Sequence, residues 1–240
     1  MRKPVVILSI FILIVGGCGQ ATNKQTREIN NETISEQEKK DCTVQVEYNN
    51  DPVESEKENF RQIGLNETIG KRTLQDYLSD EKIPQTFKNV FQQKQKLTNN
   101  DETLALIDSL FSTDKERHPF YFTLVTRATW LSDGAFSEVL GMAIRKYVET
   151  NTQQFLTYFL TETVLTQFDF KHWAYYTLVE ILIDSDENIK EVENTRNLMK
   201  KNCIECSPEK IKMIDKFIEC IYAEYDEIKR RNREWEKNNL

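Results

Sequence analysis

Residues 136–148 read FSEVLGMAIRKYV. Phe136, Val139, Leu140, Ala143, Ile144, Tyr147 and Val148 recur at steps of three and four, the spacing that lines one face of a helix. Ser137, Glu138, Arg145 and Lys146 fall between them. A strand would alternate with a period of two, so this stretch predicts an amphipathic helix with a buried stripe.

The same period extends outward in both directions. Upstream, Asp51-Pro52 predicts the cap of a first helix that stops at Gly64. Phe87, Val90, Phe91, Lys94 and Leu97 place four apolar groups on one face after Pro84, a favourable helix start. Leu104, Ile107, Leu110 and Phe111 follow with Asp101 as N-cap, then Leu124, Val125, Ala128 and Leu131 behind Pro119. Asp133-Gly134 breaks that helix. Downstream, Asn151 caps a segment with Phe155, Leu156 and Phe159, and Asp169 precedes Trp173, Thr177, Leu178, Ile181 and Leu182. Ile189, Val192 and Met199 form a weaker stripe, and Ser207-Pro208 opens a long helix running through Ile211, Phe217, Ile221 and Ile228. The expectation is an all-α fold, an irregular array of about 8–10 antiparallel helices, because short connections force neighbouring helices into α-α hairpins.

Composition agrees. In 240 residues there are seven Gly and five Pro, too few for a turn-rich β fold. A hydrophobic share of 39% excludes wholesale disorder. Two His rule out a His-rich metal site. Gly-rich phosphate loops, a strand-turn-helix nucleophile elbow and an alternating β/α pattern are all absent from the sequence.

The N-terminus has a different character. Arg2 and Lys3 precede residues 5–15, where Ser9 is the single polar side chain. A membrane-spanning helix needs about 20 apolar residues, so this run has the length of a signal-peptide core instead. Val15-Gly16-Gly17-Cys18 follows. Together these residues resemble the signal peptide and lipobox of bacterial lipoproteins. The resemblance covers this N-terminus alone. It implies that residues 1–17 are removed, that the Cys18 thiol takes a diacylglyceryl group, and that Cys18 becomes the new N-terminus. Two or more acyl chains, at about 0.8 kcal/mol per buried methylene, hold a protein firmly on a membrane. The implied address is the bacterial cell envelope, on the outer or cytoplasmic membrane.

Residues 18–59 read as a lipidated N-terminus and flexible acidic tether, since a segment so polar cannot offset its ordering entropy. Within it, Cys42 to Tyr48 alternates like a short strand. Residues 60–240 read as one helical domain. Loss of Arg2 and Lys3 takes the net charge from −7 to −9, which argues against nucleic acid as a partner.

Few residues suggest chemistry. Cys203-Ile204-Glu205-Cys206 has metal or redox spacing, but zinc needs two more ligands and a thioredoxin-like pair needs a βαβ setting. A local disulfide or inert thiols is the leading reading, with a labile redox pair or a metal site as alternatives; Cys42 and Cys220 are then left to pair. No metal and no cofactor is implied. Between Phe120 and Tyr176 lie 14 of the chain's 25 aromatics. Phe120, Leu124, Phe136, Leu140, Phe155, Phe159 and Trp173 fit the core by their spacing. Tyr121, Trp130, Tyr158, Tyr175 and Tyr176 fall off or at the edge of the stripes and are the candidates for exposed contacts. Arg127, Asp133, Glu138 and Arg145 gather near the Asp133-Gly134 break, with Glu138 and Arg145 on one helix face. Glu180 lies eight residues beyond His172, two helical turns away and too distant along one helix to orient it directly as a base. The basic run from Lys229 to Arg233 suits a helix C-terminus.

The expected function is accordingly non-enzymatic: a membrane-anchored envelope lipoprotein whose helical domain binds another envelope protein, in an inhibitor, immunity or assembly role. The candidate binding surface comprises Trp130, Asp133, Glu138, Arg145, Tyr158, Tyr175 and Tyr176. The alternative is a ligand-binding or degradative lipoprotein whose aromatic-rich groove takes glycan or peptide.

Overall fold

The computed structural model describes residues 60–98, 100–132, 134–185 and 188–239. The fold is all-α, with nine α-helices among these residues: α1 (Leu74–Ser79), α2 (Gln85–Phe91), α3 (Asp101–Asp108), α4 (His118–Leu131), α5 (Gly134–Thr150), α6 (Thr152–Thr161), α7 (Gln167–Asp184), α8 (Glu191–Asn202) and α9 (Pro208–Asn239). A 3-10 turn, Ser109–Phe111, continues α3. All described residues belong to one compact unit. No helix among them is long and apolar enough to cross a membrane. The stretches read as signal peptide and tether, with Cys18, Cys42 and the strand-like segment, lie outside the described residues, as does Asp133.

The core forms where α4, α5, α6, α7 and α9 each contribute an aromatic ring. The Trp173 ring centroid lies 4.8 Å from Phe122 and 5.2 Å from Phe155, and Phe155 lies 5.1 Å from Phe217. Tyr147 meets Trp173 edge-on at 6.0 Å. Burial of each such side chain contributes about 1.5–3 kcal/mol. The expected core set is inside: Phe120, Leu124, Phe136, Leu140, Phe155 and Trp173 are buried, and Phe159 packs against them.

Helix direction follows connection length. In α8 and α9, Glu193 bonds Tyr222 while Lys200 pairs with Asp215, so the two run antiparallel. Helices α5 and α7 flank the intervening α6 in sequence and run the same way: Gly141 faces Tyr176, and Arg145 faces Glu180 and Asp184.

Several boundaries differ from expectation. Residues 60–64 are not helical, so no first helix reaches Gly64. The α2 helix ends at Phe91, with Gln92 as its C-cap and Gln93 turning left-handed at φ 57°; Leu97 reaches the core from the loop instead. Asn100, not Asp101, caps α3, exchanging hydrogen bonds with Thr103. Thr166 caps α7, and Asp169 is its capping-box partner three residues on. One small hairpin is additional: β1 (Thr68–Ile69) pairs antiparallel with β2 (Arg72–Thr73). Its two-residue loop needs Gly70 at φ 64°, and a β-carbon there would fall 2.8 Å from Pro119 Cγ.

Candidate binding groove between α5 and α7

Gly141 lies in the interior of α5, where glycine costs about 1 kcal/mol relative to alanine. Its missing side chain brings α5 close to α7: a β-carbon there would sit 3.4 Å from Glu180 Oε2 and 3.8 Å from Tyr176 O. Above this crossing lies a groove of about 180 Å³. Helix α5 supplies Ser137, Glu138 and Gly141; α7 supplies Tyr175, Tyr176, Val179, Glu180 and Ile183. Its rim is apolar and open to water, with Tyr175 41% and Ile183 49% exposed. Met142, one turn beyond Glu138 on α5, is 52% exposed.

The floor carries charge. Glu180 is buried at 7% exposure, and no hydrogen-bond donor among the described residues reaches its carboxylate. Burial pushes its pKa above the ordinary carboxylate value, Asp184 and Glu138 push it the same way, and Arg145 opposes them. Arg145 is engaged elsewhere. Its Nη1 lies 2.6 Å from Asp184 Oδ2 and its Nε 3.1 Å from Glu149 Oε1, which also accepts from Thr195 at 2.7 Å. The groove therefore combines apolar walls with excess negative charge.

Of the residues singled out in the sequence, Glu138, Tyr175 and Tyr176 come together in this groove, and Arg145 flanks it. Asp133 lies outside the described residues, and Trp130 and Tyr158 do not join them. Tyr158 is a correction: it is buried, its hydroxyl 2.8 Å from His118 Nδ1 and accepting from Gln154 at 3.1 Å. Tyr121 is buried too. Tyr176 presents its ring edge to the groove, but its hydroxyl is inside, donating to Thr129 O at 3.1 Å and 2.5 Å from Ser132 Oγ. The cause is shared: α4 buries eleven of its fourteen residues, and α7 packs against α4, α5 and α9, so stripe edges are covered as well as stripes. Trp130 is half-buried; its indole donates to Asp169 at 2.8 Å and stacks on His172 at 3.7 Å. Arg127 is buried apart from Glu138 and Arg145, its guanidinium over the Phe60 and Phe91 rings and its Nη1 donating to Arg61 O.

Cys203 and Cys206 form a disulfide across the α8–α9 turn, with Cα atoms 5.3 Å apart. Cys220 is buried. No group of three or more His, Cys, Asp or Glu among the described residues is placed to hold a metal. His172 sits against Thr129 and Trp130, and burial lowers its pKa to about 4. Within the basic run on α9, Arg230 pairs with Glu227 and Glu234 and Arg231 with Glu227, all on the same helix.

Five groove residues, Ser137, Gly141, Val179, Glu180 and Ile183, are not site candidates in the sequence, and of these Gly141 and Glu180 carry a local signal. Their signals are local breaks in good patterns: a glycine inside the stripe of α5, and a carboxylate amid Leu178, Val179, Ile181 and Leu182. Comparison of the chain with family models, with curated proteins and with solved structures finds no match in any of the three.

Proposed function

We propose that this chain is a lipid-anchored protein of the bacterial cell envelope, held on a membrane through Cys18, whose helical domain binds another envelope protein without catalysing a reaction. Inhibition, immunity and assembly are the roles that suit such a module. The α5–α7 groove carries the reading: an open, apolar-rimmed depression with a charged floor on an otherwise well-packed helical body. At about 180 Å³ it falls below the roughly 300–1,000 Å³ of pockets that enclose whole small molecules, which favours a protruding side chain over a metabolite. A broad aromatic platform for glycan has less support, since Tyr158 is buried and Trp130 is held at Asp169 and His172. The lipid anchor rests on residues 2–18.

Two measurements test the reading. Metabolic palmitate labelling should mark the wild-type chain and not Cys18→Ala, which should leave the membrane fraction; unchanged fractionation would remove the anchor from the proposal. A photoreactive phenylalanine analogue in place of Tyr175 should crosslink to another envelope protein in intact cells. A complete lack of adducts across several growth conditions would reject the binding role.

A further inference from the structure

Glu180 is an unusual residue to find on a groove floor. As a residue Glu180 is 93% buried, its side chain lines the groove, and no hydrogen bond from a described residue reaches its carboxylate. Most buried carboxylates are paired or hydrogen-bonded. The nearest cation, Arg145, is held by Asp184 and Glu149. The remaining charged residue lining the groove is Glu138, which is exposed and of the same sign as Glu180. Opposite Glu180 stands Gly141, the one lining residue without a side chain, where a β-carbon would come into contact with Oε2 at 3.4 Å.

From this arrangement we infer that the groove takes a basic side chain of the partner protein, its guanidinium or ammonium group pairing with Glu180 while its aliphatic stem lies along Tyr175, Val179 and Ile183. The inference deepens the binding-module reading and rests on it. Three independent features agree with such an occupant. Charge is complementary, with Glu138 and Glu180 both facing the space. The walls are apolar where a lysine or arginine stem would lie and acidic where its head would reach. The volume suits a single side chain. Arginine is also among the residues that most often anchor interfaces, and a buried charge pair confers specificity because the wrong partner leaves a carboxylate stranded.

The test uses the full lipidated chain in detergent, carrying 13C at its glutamate carboxyls, with the Glu180 resonance assigned by Glu180→Gln. The probes are Nα-acetyl-arginine methylamide and its neutral citrulline analogue at pH 7. The arginine probe should shift the Glu180 carboxyl signal saturably, at least tenfold more tightly than the citrulline probe. Gly141→Ala adds a methyl in ordinary contact with Glu180 Oε2, keeps the helix, and should weaken the arginine probe at least threefold. Equal responses to both probes, or none, would overturn the inference.

The crosslinker at Tyr175 separates the two levels of the argument. Mass spectrometry should place a lysine or arginine of the partner in the adduct, and Glu180→Gln should reduce adduct yield several-fold while thermal melting stays intact. Adducts of equal yield in both backgrounds would overturn the basic-side-chain assignment and leave the binding role standing, as would an adduct carrying no basic residue. Adducts between two copies of this chain would overturn the choice of a different protein as occupant. No adducts in either background would reject the binding role itself.

Discussion

The indole of Trp173 on α7 donates a hydrogen bond to Thr126 Oγ1 on α4 at 3.0 Å, and both side chains are at most 1% exposed. Thr126 in turn donates to Phe122 O one turn back along α4, at 2.9 Å. The pair joins α4 and α7 through a polar contact in the middle of the aromatic core.

Trp173→Ala should therefore lower stability by about 3–5 kcal/mol, the cost of a large aromatic cavity. Trp173→Phe keeps ring contact with Phe122 and Phe155 but removes the donor, and should lose about 1–3 kcal/mol. Urea denaturation midpoints at unchanged slope would measure both. A loss near zero in Trp173→Phe would mean that the hydrogen bond contributes nothing beyond packing.

Glu180 should destabilise the folded chain at neutral pH. Its pKa is raised on folding, chiefly by burial. A carboxyl raised in the native state holds its proton where the unfolded chain has lost it, so stability falls as pH rises through that window and stays low above it. Glu180→Gln should melt higher than wild type at pH 7. The advantage should vanish below the ordinary carboxylate range, as followed by thermal melts from pH 3 to 8. The charged groups facing Glu180 in this titration are Glu138 and Arg145 on α5 and Asp184 on α7.

His172 predicts a second pH window with the opposite slope. Burial lowers its pKa to about 4, against an ordinary value near 6.5. The unfolded chain binds the proton first on acidification, so stability is full above about 6.5 and declines as pH falls toward 4. His172→Gln removes that decline. Its stability relative to wild type should improve across that interval, measured as the difference in melting temperature at each pH. A constant difference would assign the acid response elsewhere.

The Cys203–Cys206 bridge closes a very short loop. Chain entropy then attributes about 2 kcal/mol to it. The double variant Cys203→Ser/Cys206→Ser should lose about that much in chemical denaturation. Hydrogen exchange should quicken first at the start of α9 and the end of α8, with the Trp173 region protected as before.

Much of this architecture is legible in the linear chain because helix periodicity is a local property. The stripe from Phe136 to Val148 lies within α5, Pro119 sits in the first turn of α4, and Pro208 opens α9, each at or near its expected place. Boundaries shift where one residue tips a balance the pattern does not contain, as when Gln93 turns left-handed after α2 or Asn100 takes the cap from Asp101. The groove is partly legible. Glu138, Tyr175 and Tyr176 were already candidates, whereas Gly141 and Glu180 belong to it because of what stands across from them.

The sequence by itself determined the helical class and the positions of most helices, since each depends on residues within a few positions of one another. The tertiary structure decided which stripe edges are covered, and so that Tyr158 is inside and Tyr175 outside. It also decided that α5 and α7 run side by side in the same direction, which sets Gly141 against a carboxylate 39 positions away in the chain. That pairing depends on how helices pack in three dimensions, and side-chain periodicity along a single helix carries no record of its neighbour.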